Sequence, residues 1–155
     1  MPISSVTTNT FLIDTLSFVR DILRDNITDP ISSTRPTGHS FVTTTYPQSP
    51  ATYPVITVKH LSMGSGPQLG MQSEQYFIDM QIEVRIWARN VIEKDRLTQL
   101  VINQFRTQQY GSGSFTAGNL HDWRLLSAVD VDFDEGQHKI HTRVLTLKFN
   151  FVLGS

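Results

Sequence analysis

Apolar positions near the start of the chain fall at helical spacing. Phe11, Leu12, Thr15, Leu16, Val19, Ile22 and Leu23 recur every three or four residues, while Asp14, Ser17, Arg20, Asp21 and Arg24 occupy the other side. Asn9 or Thr10 is placed to cap this helix, and Asn26 and Pro30 lie just past its predicted end. The pattern then becomes β-rich at Phe41–Tyr46 and again at Val55–Leu61. Strict alternation follows. Tyr76, Ile78, Met80, Ile82, Val84, Ile86 and Ala88 face one way, and Asp79, Gln81, Glu83 and Arg85 face the other. Period two predicts a strand with one face on the core and one face wet. Asn90 and Glu93 stand at capping-box spacing before a second helix, whose stripe is Leu97, Leu100, Val101 and Phe105 with Ile92 near its start. Trp123, Leu125, Val129, Val131 and Phe133 then alternate with Arg124, Asp130 and Asp132. A turn at Asp134–Gln137 leads to a return strand with Leu145, Leu147, Phe149 and Phe151 on one face.

The order α-β-β-β-α-β-β predicts an α+β domain: a mainly antiparallel sheet with two helices packed on one face. Its 155 residues suffice for one domain with its own core. The expected organisation is a single domain over 1–155, with an N-terminal arm at 1–8 and long loops at 26–40, 46–54, 62–74 and 110–119. Prolines 47, 50 and 54 exclude a central strand from the second loop, and glycines 64, 66 and 70 make the third read as a flexible connection.

Composition narrows the function classes. Charged residues are 17% of the chain, below the usual ~25%, which argues against a disordered polyelectrolyte. The formal net charge is −1, unlike a protein held to nucleic acid by phosphate neutralisation. No cysteine is present, so disulfides, thiolate metal sites and cysteine nucleophiles are excluded. No apolar run reaches the ~18 residues that span a bilayer, and Met1–Ser5 lacks the basic start of a signal peptide. The expectation is a soluble, intracellular protein without a membrane partner.

Candidate chemistry is sparse. The histidines are 39, 60, 121, 138 and 141; His138 and His141 are three apart, which on a strand puts them on opposite faces. Asp130, Asp132 and Asp134 resemble the opening of a calcium loop, but Glu135 and His141 stand where Gly and Glu are required. Gly64, Gly66 and Gly70 precede a strand, without the lysine and helix N-terminus of a phosphate loop. Gly111–Ser114 lacks the spacing of a nucleophile elbow. No catalytic, cofactor or metal site is predicted. Long loops in a compact domain are usually functional, and subunit contact is their expected use here. Leu69 and Met71 are the expected apolar anchors within the glycine-bearing segment 62–74.

The order of elements resembles the tail terminator, or tail completion, proteins of tailed bacteriophages. The features that carry this are the opening helix from Phe11 to Arg24, the strand Tyr53–Val58, the Gly-rich connection into Tyr76–Ala88, the immediate passage into Asn90–Leu97, and a final antiparallel pair. Head-side neck proteins of the same virions look similar. The resemblance implies a non-enzymatic virion protein, made in the host cytoplasm, located at the head–tail junction and forming a homo-oligomeric, typically hexameric, ring. Its partners would be the tail tube protein and a neck or head-completion protein, with DNA only as passing cargo. In such a ring Asp130, Asp132 and Asp134 are the candidate channel-facing carboxylates, with a solvated outer face as the plain alternative. A head-completion adaptor is the alternative within the virion; a small α+β enzyme or a nucleic-acid-binding module is the alternative outside it.

Overall fold

The computed structural model describes residues 10–47, 52–68, 76–110, 115, 118–135 and 138–153, with side chains except at 65–68, 76, 133–135, 138 and 153. The elements are α1 (Phe11–Asn26), β1 (Val42–Thr43), β2 (Val55–Gln68), β3 (Tyr76–Ala88), α2 (Val91–Gln109), β4 (Leu120–Asp130), β5 (Phe133–Glu135) and β6 (His138–Leu153). The architecture is α+β. The sheet order is β1-β2-β3-β6-β4, and β5 pairs with β6 at the tip of the last hairpin.

Both helices cover one face. Phe18, Val19, Ile22 and Leu23 of α1 and Leu97, Val101 and Phe105 of α2 join a single buried cluster with Ile78–Ile86 of β3 and Leu145–Phe151 of β6, taken at alternate positions. Strands β3 and β6 form an unbroken antiparallel ladder from Tyr76↔Leu153 to Ala88↔His141. The aromatic centre of this layer is Phe105, whose ring lies 5.2 Å from Phe115, 5.8 Å from Phe149 and 5.8 Å from Trp123. Gly118 lies against the same layer, where an added Cβ would stand 2.5 Å from the Phe18 ring, so the chain passes close only because no side chain intervenes.

The start of α2 follows the predicted cap. The Asn90 side chain accepts a bond from Glu93 N at 2.8 Å, and the Glu93 carboxylate returns to Arg89 N at 3.1 Å, one residue before the cap itself. Thr10 caps α1 in position but makes no side-chain cap bond; its hydroxyl donates to Asp14 at 2.6 Å instead.

Several expectations need correction. The sheet is mixed, because β1 is parallel to β2 (Val42↔Ile56, Thr43↔Thr57). β1 is only two residues of the predicted Phe41–Tyr46 strand. The final segment holds three strands, since β4 ends at Asp130 and the chain pairs again at β5. The predicted loop 62–74 is strand as far as Gln68, so Gly64 and Gly66 lie in β2. Leu69, Gly70 and Met71 lie outside the described residues, as does the predicted arm 1–8. In the helices, Leu12, Ile92 and Leu100 are exposed while Phe18, Lys94 and Thr98 are buried. The sheet is not reached from every position that helical spacing places on the stripe.

The last correction concerns the face expected to be wet. Tyr46 and Tyr53, from the β1–β2 connection, pack with Val55, Trp87 and Ile140 on the side away from the helices. Beneath them Glu83 is buried. It accepts the Tyr46 hydroxyl at 2.5 Å and Arg85 Nε at 3.0 Å. Lys59 Nζ lies 3.9 Å from the centre of the Tyr46 ring, and Trp87 Nε1 donates to Thr57 at 3.1 Å. Burial and the bond to Glu83 both push the Tyr46 phenol upward. This strap is tied down by one carboxylate serving a phenol and a guanidinium.

Candidate functional site

The site is built on β4, the last strand of the sheet. Two irregularities break its register with β6, between His121 and Arg124 and between Leu125 and Ser127. Each shift changes which face the following residues occupy. Leu125 and Ala128 stand opposite Leu147 and Leu145 on the helix side, whereas Val129 stands opposite Val144 on the other. Straight alternation had put Leu125, Val129 and Val131 on one buried face. They are exposed instead, together with Leu126 at the second irregularity. From Arg124 to Asp130 every β4 residue is exposed. Large apolar side chains therefore stand along an outer strand that no other described strand covers.

At the end of β4 the acidic residues are drawn into ion pairs. Asp130 accepts Arg143 Nε at 2.6 Å and Lys94 Nζ at 3.1 Å, and a second Arg143 nitrogen reaches Asp95 at 2.8 Å. Lys94 is almost fully buried in α2, so this contact ties the edge strand to the helix layer. Asp132 lies 3.6 Å from His141 and 3.9 Å from Lys139. Asp134 is in β5 opposite Lys139, with its side chain outside the described atoms. Asp130 and Asp132, expected as channel-facing or solvated carboxylates, have cationic neighbours. The counter-ions Lys94 and Arg143 carried no signal in spacing, because Lys94 is brought in from a different element.

The Arg143 hydrogen bond, with Lys94 adding to it against the cost of desolvation, lowers the Asp130 carboxyl to about 2. A carboxyl lowered on folding contributes stability above its unfolded value of ~3.9 and loses it as pH falls towards 2. The Asp130 side chain is half exposed, so screening limits the contribution to about 1 kcal/mol or less. Asp29, lowered by the Arg35 hydrogen bond, acts in the same direction. Carboxyl-detected NMR titration should therefore show Asp130 ionising well below an ordinary aspartate. In Arg143→Ala it should move back towards ~3.9. An unshifted wild-type carboxyl would refute the pairing.

No protein-family model matches the chain, and no curated protein matches it.

The second open edge is on β2. Strand β1 covers only Ile56 and Thr57, and among the described residues no other strand pairs with the outer side of β2 beyond that point. An irregularity between His60 and Ser62 leaves Leu61 exposed, and Met63 is exposed beyond it. Gly64 has open space where a Cβ would be. A groove of about 560 Å³ lies beside α2, lined by Pro30, Ile92, Leu97 and Leu100 with Glu93 and Arg96 at its rim.

Several other polar side chains are engaged locally. Arg35 clamps Asp29 through two nitrogens, at 2.5 and 2.9 Å, and donates to the carbonyls of Thr52 and Pro54, which fixes the loop after α1. His60 Nε2 meets the Leu12 carbonyl at 2.8 Å, and His121 meets Asn119 at 3.0 Å. Among the described residues no group of three His, Asp or Glu side chains is placed to hold a metal ion, and no helix is long and apolar enough to cross a membrane. Among the described residues the arrangement offers two sheet edges that no strand covers in full.

Proposed function

We propose that the protein is a structural, non-enzymatic virion component: a tail terminator that assembles as a ring, caps the tail tube and joins it to the head or neck. The observation that supports this reading is the pair of sheet edges that no described strand covers, one on β4 and one on β2 beyond Thr57, each bearing exposed apolar side chains. Open edges of this kind are a template for association unless a partner covers them. Two different surfaces on one subunit make head-to-tail contacts, and such contacts close into rings when the rotation permits. The mechanism would be geometric: a ring seated on the last tube ring blocks further addition and presents a new surface to the neck. DNA would pass through it as cargo. The resemblance in element order supplies the virion context.

The test is electron microscopy of the purified protein with and without isolated tail tubes. Rings seated at one end of the tubes are expected. Rings that bind the head vertex and ignore tubes would replace this reading with that of a head-completion adaptor. A monomer within intact particles would end both.

A further inference from the structure

We propose that the outer edge of β4 in one copy pairs antiparallel with the uncovered half of β2 in a second copy, so that the sheet continues from subunit to subunit. The inference deepens the ring reading by naming the two surfaces that would form it, and to that extent rests on it.

Strand direction provides the first argument. From β2 through β3 and β6 to β4 every neighbouring pair is antiparallel. Three reversals leave β4 running opposite to β2. A second copy rotated about an axis along the strands therefore presents its β2 antiparallel to the first copy's β4, with both helix layers on the same side. No strand needs to turn over for the ladder to continue.

Side-chain placement provides the second. A continuous sheet requires helix-side residues to meet helix-side residues. On β4 the straight run after the irregularity begins at Ser127, with Ala128 beside buried Leu145 and Val129 on the open face. On β2 the straight run begins at Ser62, which stands opposite Gln81 on the open face; Met63 stands opposite buried Met80. An antiparallel register of Ala128 with Met63 places Val129 against Ser62 and Ser127 against Gly64, and every pair agrees in face. It sets a small residue against a large one at the centre. Leu125 and Leu126 on one strand and Leu61 on the other flank the pair.

The third argument is the absence of protective charge along these runs. Leu125 to Val129 and Leu61 to Gly64 contain no charged residue and no proline, whereas edges that stay in solvent usually carry one or the other; Asp130, which this register sets beside Leu61, is already paired with Arg143 and Lys94, and Pro67 stands beyond the paired run. A two-fold pairing of β4 with another β4 would leave Leu61 and Met63 uncovered on both copies. The head-to-tail pairing covers both edges at once.

The chain has no cysteine, so introduced thiols report without background. Ala128→Cys and Met63→Cys proteins should each remain uncrosslinked under mild oxidation and form a disulfide dimer when mixed. Directly opposed residues in an antiparallel pair have Cβ atoms ~4.5–5.5 Å apart, near disulfide reach. A homobifunctional maleimide gives the same readout without the strict geometry. The double variant should give a ladder of covalent oligomers. Val129→Lys, at an exposed position, should weaken self-association at least about tenfold while leaving the circular dichroism spectrum unchanged. Crosslinking of Ala128→Cys with itself would overturn the proposal in favour of two-fold pairing. Oligomers without the mixed crosslink, or a wild-type monomer by light scattering at every concentration, would overturn it outright. Oligomers that crosslink as expected but do not cap tail tubes would leave this interface standing and remove the terminator reading. Capping rings without the mixed crosslink would do the reverse.

Discussion

Phe105→Ala is expected to destabilise the fold by about 3–5 kcal/mol, the range for deleting a fully buried aromatic side chain. Phe105 is inaccessible to solvent. Its ring contacts Phe115, Phe149 and Trp123, and Phe115 in turn contacts Phe149 at 5.1 Å and Phe18 at 6.1 Å. One substitution thus opens a cavity where α1, α2, β4 and β6 converge. The surrounding rings are rigid and collapse poorly into such a space, which places the cost towards the upper end. Urea denaturation followed by tryptophan fluorescence gives the value. Phe105→Leu, which fills most of the volume, should cost less than half as much. A loss below about 1 kcal/mol for the alanine variant would mean that the core is not organised around this ring.

Glu83→Ala should have the second-largest effect, about 3 kcal/mol. Glu83 is buried and accepts Tyr46 and Arg85, while Lys59 at 3.9 Å and Arg85 at 4.9 Å both lie over the Tyr46 ring. Removing Glu83 leaves the phenol and the Arg85 guanidinium without the carboxylate that pairs them. Breaking one partner of a fully buried pair costs ~3–5 kcal/mol; Arg85 keeps some solvent access, so the lower end applies. Glu83→Gln retains an acceptor for Tyr46 and should cost less. The distinguishing measurement is the Trp87 fluorescence of the folded protein. It should change in Glu83→Ala, because Tyr46 packs edge-on against that indole at 5.6 Å. If both variants cost the same, charge rather than the phenol contact holds the strap.

The sequence made some of these elements legible and hid others for identifiable reasons. The long strand β3 was readable because its alternation runs unbroken over Tyr76–Ala88, and the start of α2 because Asn90 and Glu93 satisfy a local hydrogen-bond rule. The parallel β1 was not readable, since a two-residue strand has no period and parallelism is decided by where the intervening chain crosses. The burial of Glu83 was hidden for a similar reason: what covers it comes from Tyr46 and Tyr53, in a segment whose prolines announce only that it is not a strand. Strand β4 was misassigned because period-two counting assumes no inserted residue, and the irregularity at Leu126 moves Val129 to the opposite face from Leu125. The exposed edge was therefore invisible to pattern: the same alternation that signals a buried face here belongs to a strand exposed on both. Gly64 and Gly66 weaken strand propensity and predict a loop, yet pairing with β3 overrides that preference as far as Gln68.

The ladder between β3 and β6 also sets the order in which the chain can fold. β2 with β3, and β4 with β6 and β5, are each joined within a short stretch of sequence and close as hairpins. The central seam is different, because α2 and β4 both lie between its two strands in sequence. Its loop-closure entropy must be met before Met80 finds Phe149 or Ile82 finds Leu147. Contacts of such high sequence separation slow folding relative to a helical bundle of the same size. The closure cost falls on the step that docks these two hairpins. Until they dock, each presents to solvent one half of the apolar layer that the finished sheet keeps dry.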